Sequence, residues 1–434
     1  MVTLPEGGVA VFLTIICSLI TVAVIKKTNE ESEFLINIFV LGLLARILFG
    51  TALHVFDLRD FFGGDAYSYD FLGNRLTEIW SGQMVANDWI SQKALQTSGS
   101  GWGMNYLTGF IYFICGRNIL AAQFFCAVIG AATAPMVYAC SYKVFKNQRV
   151  SRTSALLVTF FPAFIIWSSQ LLKDGLIIFL LVLAITMVLQ LQEKFEYWSV
   201  IILIFSLFGI ISLRFYIFYM VAIAVVGSFI IGTSGSVKST VRGVIALVAI
   251  GIALTYLGVL RSAGTEFDKY GSLDKIQASR QNLSTAESGF GEDADVSTTE
   301  GALVALPVGF MYLMLAPFPW QATTFRQAIT LPEILLWWAT IPIMLSGLWF
   351  TLKNRLRNAI SILIFTLLLT IAYSIFQGNV GTAYRQRAQI QVFLFIFIAV
   401  GWTLLKERRE NRMAMKEEQR YRLQKKFLDK DKDK

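Results

Sequence analysis

The sequence predicts an all-α polytopic membrane protein with about eleven transmembrane helices and further helices lying beside the membrane on its extracytoplasmic face. Three observations carry that reading. Of the 434 residues 55% are hydrophobic and only 15% are charged, against about 25% charged in an average soluble domain. The mean hydropathy is +0.59. The basic residues sit in short clusters between apolar runs, so the formal charge of +9 reflects membrane topology and not a nucleic-acid partner.

A helix needs about 20 mostly apolar residues to cross the hydrocarbon core. Runs of that kind fall at 7–25, 34–55, 118–142, 152–168, 171–191, 197–213, 215–234, 243–260, 331–351, 358–376 and 388–405. The first has no preceding Lys or Arg and no small-residue cleavage site, so it reads as a span and not as a removable signal. Lys26 and Lys27 follow the first span; Lys143, Lys146, Arg149 and Arg152 the third; Lys194 the fifth; Lys238 and Arg242 the seventh; Lys353, Arg355 and Arg357 the ninth. Every second loop is therefore basic. By the positive-inside rule those loops and the charged tail, 406–434, are cytoplasmic, and the N-terminus lies outside. The tail carries 12 Lys and Arg against 7 Asp and Glu; it reads as a charged helix with a disordered end, resting near anionic lipid.

Two long segments, 56–117 and 261–330, fall on the extracytoplasmic side. Their apolar stretches GWGMNYLTGFIYFICG (101–116) and ALVALPVGFMYLMLAPFPW (302–320) are short or broken by Pro307, Pro317 and Pro319, so they read as surface or dipping helices. The stretch 262–300 is rich in Gly, Ser, Thr, Asp and Glu, a composition that predicts a mobile loop closing over substrate. Cys17, Cys115, Cys126 and Cys140 all lie in apolar runs without a CxxC pair; they read as buried thiols.

Charge is costly in a membrane segment, about 2.5 to 3.5 kcal/mol on insertion scales, and four sites carry it at the outer face. GGDAYSYDFLGNRL (63–76) holds Asp65 and Asp70 on a short helix beside Tyr67 and Tyr69, which are within reach to hydrogen-bond them. WSSQLLKDGLIIFLL puts Lys173 and Asp174 at the outer end of the fifth span; adjacent helical residues point about 100° apart, so each has room for its own partner. Arg214, in ISLRFYIFY, sits between two spans at the outer membrane surface, and Arg385 and Arg387, in GNVGTAYRQRAQI, directly precede the last span. Outward basic residues run against the positive-inside rule, which makes Lys173, Arg214, Arg385 and Arg387 informative. Arg46, within the second span, reads as snorkelling. His54 reads as interfacial, and Trp102, Trp167 and Trp320 as belt aromatics with sugar stacking as the alternative.

This inventory fits one chemistry. A polyprenyl-phosphate sugar needs an apolar groove for its tail and cations at headgroup depth for its phosphate. An acceptor hydroxyl attacking the anomeric carbon needs a base such as Asp. Cations that stabilise the departing phosphate replace a general acid.

The order of features over 55–234 resembles the C-type (GT-C) integral-membrane glycosyltransferases, in the family 39 branch of protein O-mannosyltransferases and lipid A aminoarabinose transferases. GGDAYSYDFLGNRL looks like that branch's acidic motif, which implies that Asp65 is catalytic. YLTGFIYFICGRN is similar to its surface helix. FFPAFIIWSSQLLKDGLIIFLL matches its proline, aromatic and Leu-Asp pattern and puts Asp174 on the family aspartate; Arg214 in LRFY occupies the place of the residue contacting lipid phosphate. The chain departs from the pattern in GWGMNY, where a proline is usual, in the absence of a large soluble domain after the last span, and in one added leading span that makes 34–55 the family's first helix.

The expected function is transfer of sugar from a polyprenyl-phosphate donor to a glycan, lipid or protein acceptor at the outer face of the plasma membrane. Asp65 serves as base. Lys173, Arg214, Arg385 and Arg387 hold phosphate, Asp70 and Tyr67 contact substrate, and Asp174 orients the acceptor or binds a divalent cation, which is the one cofactor left open. The alternative is a polysaccharide polymerase or ligase built on Arg385 and Arg387. A flippase would need internal repeats and mid-membrane charge pairs, which the sequence does not offer apart from Arg46.

Overall fold

The computed structural model describes residues 4–62, 64–231, 237–322 and 324–432. Gly63 of the acidic motif, 232–234 at the end of the seventh apolar run, and 433–434 of the tail lie outside the described residues, as do the side chains of Lys238 and Arg242. Among the described residues the architecture is all-helical, and each of the eleven apolar runs falls mainly on helix.

Among the described residues seven helices are long and apolar enough to cross a membrane. They are α1 (Leu4–Thr28), α2 (Ser32–Val55), α7 (Ile119–Phe145), α10 (Lys173–Glu193), α17 (Phe325–Asn354), α18 (Leu356–Phe376) and α19 (Val380–Lys432). Two bent helix pairs are long and apolar enough only when each pair is taken together. α8 (Gln148–Phe160) and α9 (Pro162–Ser168) meet at 55°, and α13 (Val237–Tyr256) and α14 (Val259–Tyr270) at 76°. Pro162 cannot donate to the α8 ladder and forces Phe161 into extended backbone, φ −70° and ψ 127°, which breaks the helix there. α11 (Tyr197–Leu213) and α12 (Phe215–Ile231) are 17-residue apolar helices, at the lower limit for a span.

α19 is the central element. Its segment from Ala388 to Val400 is buried throughout, and α17 lies along it at very short range. A Cβ on Gly347 would fall 1.9 Å from Phe397 O, and one on Gly401 would fall 2.0 Å from Ile343 O. In lipid, where apolar side chains gain little by mutual burial, such small residues let two backbones approach and supply packing. The helix continues without interruption to Lys432, so the end expected to be disordered is part of it, and Arg149 pairs with Glu410 at 2.8 Å.

The segment after α2 folds as α3 (Arg59–Phe62), α4 (Asp65–Trp80), α5 (Trp89–Leu95) and α6 (Trp102–Cys115). α6 packs on α4, with Thr77 Oγ1 donating to Gly109 O at 3.0 Å.

The polar stretch 262–300, expected to be a mobile loop, instead holds the end of α14 and α15 (Leu273–Ser284), and it is tied down. Arg280, 1% exposed, donates to Ile375 O at 2.9 Å and Gln377 O at 2.7 Å. These are carbonyls at the C-terminal end of α18, which lack partners within their own helix. A short antiparallel bridge, Gly289 with Asn379, continues the attachment. α16 (Thr299–Leu315) then crosses the corner between α18 and α19, with Gly309 against the Ser374 backbone and Met314 O accepting from Trp337 Nε1 at 2.7 Å.

Arg46 does not snorkel. It is 1% exposed at the middle of α2, and its guanidinium donates to Ser168 Oγ at 2.7 Å, to Gly42 O at 2.9 Å and to Thr159 O at 3.5 Å. Thr159 O is one of the carbonyls stranded by the Pro162 break, so this charge staples the broken α8–α9 span to α2.

Candidate functional site

Asp65 is the first residue of α4, Lys173 and Asp174 open α10, Arg214 links α11 to α12, and Arg385 lies in the second turn of α19. Each position is a helix end or linker at one end of the bundle, where side chains from separate spans can converge. Asp174 is fully buried, and its carboxylate is shared: Oδ1 accepts from Arg214 Nη2 at 3.1 Å and Oδ2 from Arg385 Nε at 2.5 Å. Arg385 reaches on with Nη1 to Asp65 Oδ2 at 2.9 Å. One guanidinium thus joins the acidic motif at the start of α4 to the start of α10, and Arg385 itself lies 320 residues from Asp65 in sequence.

The two carboxylates differ in access. The Asp65 side chain is 52% exposed and that of Asp174 is 0%. Asp65 is therefore open to an incoming group, while Asp174 is sealed from solvent and engaged by an arginine on each oxygen. Among the described residues no group of three or more His, Cys, Asp or Glu side chains is placed to hold one.

Lys173 points away from Asp174 and donates to Ser100 Oγ at 3.2 Å. Ser100 belongs to a glycine strap before α6. Gly101 in that strap has φ +94°, and a Cβ there would sit 3.2 Å from both Lys173 Nζ and the Tyr69 hydroxyl. Glycine serves twice at this position, by its backbone conformation and by the space it leaves. Glu266 on α14 accepts from Gly99 N at 2.7 Å and fixes the strap from the other side. Burial, with Asp65 nearby, pushes the Tyr69 phenol well above its usual range, so it stays a neutral donor beside the cluster.

A cavity of about 510 Å³ opens against Arg385, a size suited to a sugar phosphate. Trp167, Tyr384, Thr382, Asn379 and Arg326 line it with Arg385, and Glu287 and Ser288 from the segment bridged to Asn379 form part of its wall. The Arg385 guanidinium carbon lies 5.6 Å from the centre of the Trp167 ring, a cation–π distance. Its Nη2 is buried without a hydrogen-bond partner among the described residues, as are Arg214 Nη1 and Arg387 Nε and Nη2. Trp167 is 7% exposed; it is a wall of this cavity and not a belt aromatic.

Other residues singled out in the sequence lie elsewhere. Arg387 is 0% exposed, and its Nη1 donates to Leu313 O, Met314 O and Ala316 O at 3.5, 3.2 and 2.8 Å. It caps the C-terminal carbonyls of α16. Asp70 accepts from Tyr112 Oη at 2.6 Å and from Arg117 Nη2 at 2.6 Å; the hydrogen bond that Arg117 donates to Asp70 raises the Arg117 pKa. Tyr67 donates to Asp57 at 3.0 Å and not to Asp65 or Asp70. Two positions along a helix is about 200° of rotation, which turns Tyr67 away from Asp65. His54 pairs with Arg59, which also reaches Gln123 Oε1 at 3.5 Å.

Sequence reasoning missed Arg326, although the signal was present. Like Arg385, it is a basic residue just ahead of a span on the face assigned outside. The Thr324–Gln327 capping box beside it marks the start of α17.

Residues 83–232 match the family described as Dolichyl-phosphate-mannose-protein mannosyltransferase. That third of the chain runs from α5 to α12 and takes in the strap, Lys173, Asp174 and Arg214, while Asp65 and Arg385 lie outside it. The similarity supports a membrane glycosyltransferase of the GT-C type. No curated protein matches the chain.

Proposed function

We propose that the chain transfers a sugar from a polyprenyl-phosphate carrier to an acceptor hydroxyl at the outer face of the plasma membrane, in glycosylation of cell-envelope glycan or lipid. The observation that carries this reading is the Asp65–Arg385–Asp174 bridge beside a cavity of about 510 Å³. It combines an accessible carboxylate with a cation that has an unused N–H group.

In this reaction the acceptor oxygen forms a bond to the anomeric carbon as the bond from that carbon to the phosphate oxygen breaks. The hydroxyl proton passes to Asp65, and the bonding pair leaves on the lipid phosphate. Arg385 through Nη2, and Lys173 beside it, balance the charge that grows on the phosphate. A single displacement of this kind inverts the anomeric configuration. Arg214 and Asp174 act by holding Arg385 at its place, since the Asp174 carboxylate is engaged on both oxygens.

The polymerase or ligase alternative rests on Arg385 acting with Arg387, and it is the weaker reading because Arg387 does not line the cavity and its Nη1 faces the α16 carbonyls. The test is an assay of the purified chain in liposomes with polyprenyl-phosphate sugars. Wild-type protein is expected to form glycosylated acceptor. Asp65→Asn, expressed and folded normally, is expected to fall about 10²- to 10⁴-fold, the usual contribution of a general base. Full activity in that variant would remove Asp65 from the mechanism.

A further inference from the structure

The cavity has a second cation that the mechanism above does not use. Arg326, in the first turn of α17, lines it opposite the segment that carries Arg385. In this structure Arg326 reaches across a seam to α3: Nη2 donates to Asp60 O at 3.4 Å, and the guanidinium carbon stands 5.2 Å from the centre of the Phe61 ring. Phe61 also meets Phe325, with ring centroids 6.1 Å apart. Phe61, Phe325 and Arg326 all line the cavity, so the side chains that close the seam are part of the cavity wall.

The helix ends that flank this seam expose apolar side chains. Phe325 is 73% exposed and Ile329, one turn on along α17, is 45% exposed; Val55 and Phe56 at the end of α2 are 50% and 71% exposed. Exposed apolar side chains at the ends of two membrane-crossing helices suit lipid tails, while the interior beyond the seam presents Arg326 and Arg385 and suits an anion. A molecule with a long apolar tail and a phosphate head satisfies both sides together.

We propose that Arg326 is a headgroup-binding residue, and that the seam between α3 and the start of α17 is the entrance through which a lipid-linked sugar phosphate reaches the cavity. This rests on the reading of the chain as a lipid-phosphate-dependent transferase. The Arg326 contacts in the closed form are replaceable: a long hydrogen bond to a backbone oxygen and a cation–π contact. A phosphate offers the same guanidinium two charge-assisted hydrogen bonds. Entry of the headgroup therefore exchanges the partners of Arg326 and parts Phe61 from Phe325 in one movement.

The experiment uses the full chain in liposomes and a photoreactive polyprenyl phosphate. Cysteines replace Phe61 and Phe325 together, and a short bismaleimide with a reducible link locks the seam; the two single variants, treated alike, control for the natural cysteines. Locking is expected to lower photolabelling and sugar transfer at least tenfold, with recovery on reduction. Undiminished labelling and transfer in the locked protein would overturn the entrance. Arg326→Ala is expected to raise the donor KM about tenfold with kcat nearly unchanged, and Arg326→Lys to recover part of it; an unchanged KM would overturn the headgroup role. Labelling of the wild-type chain that Arg326→Ala and locking both weaken, without any sugar transfer, would uphold the site and refute the transferase reading. A wild-type chain that takes no label would refute both.

Discussion

Arg385 and Arg387 stand two residues apart on one helix, about 200° around its axis, and they face two different regions. On the Arg385 side two carboxylates and the further cations Lys173 and Arg214 gather beside a cavity, one carboxylate open and one sealed. On the Arg387 side the guanidinium is closed in by the end of α16, by Tyr384 at 5.1 Å from its carbon, and by three backbone oxygens. Both arginines are largely buried, with the Arg385 side chain 14% exposed and Arg387 0%. What separates them is access: Arg385 lines the cavity beside the half-exposed Asp65, whereas Arg387 does not line it and turns its Nη1 to the backbone.

The largest effect expected is on the sealed carboxylate. Asp174→Ala leaves Arg214 and Arg385 facing each other in a buried place, a change of the class that costs about 3 to 5 kcal/mol; a sharply lowered unfolding temperature in detergent would register it, and unaltered stability would deny that the bridge is structural. Arg387→Met removes charged donors from the α16 carbonyls, worth about 1.5 to 3 kcal/mol, and here the comparison is sharpest. Stability should fall, while transfer per folded molecule stays within about twofold; an early loss of donor affinity would return Arg387 to the site. Asp70→Asn should do least. Its pair with the half-exposed Arg117 is worth about 1 kcal/mol or less, so transfer should be near wild type, and a loss as deep as that of Asp65→Asn would mean the wrong aspartate bears the chemistry.

The fold was legible to the extent that membrane physics constrains it. Each apolar run marked a helix because no other structure satisfies the backbone in lipid, and the runs around Phe161–Pro162 and Gly258 became bent pairs at a proline and at a glycine with φ +72°. The residues near Asp65, Lys173, Asp174, Arg214 and Arg385 were legible because charge at a span end needs a reason. What the sequence hid were the partners. Arg387 and Arg46 obey the same rule as Arg385, and only packing reveals that their reason is a broken or terminating helix. The polar stretch 262–300 looked mobile because its anchors, Glu266 and Arg280, bond to backbone groups of distant segments, and backbone partners leave no mark in composition. Trp167 resembled an interfacial aromatic until α19 brought Arg385 over its ring.

The central claim is that Asp65 and Arg385 work as one unit, and a double-substitution cycle on transfer measures it. kcat/KM would be compared for wild type, Asp65→Asn, Arg385→Lys and the double variant in the same liposomes. Groups acting as a unit give strongly non-additive losses, so the double variant should be little worse than the poorer single one. Losses that multiply, as for two independent residues, would contradict the account.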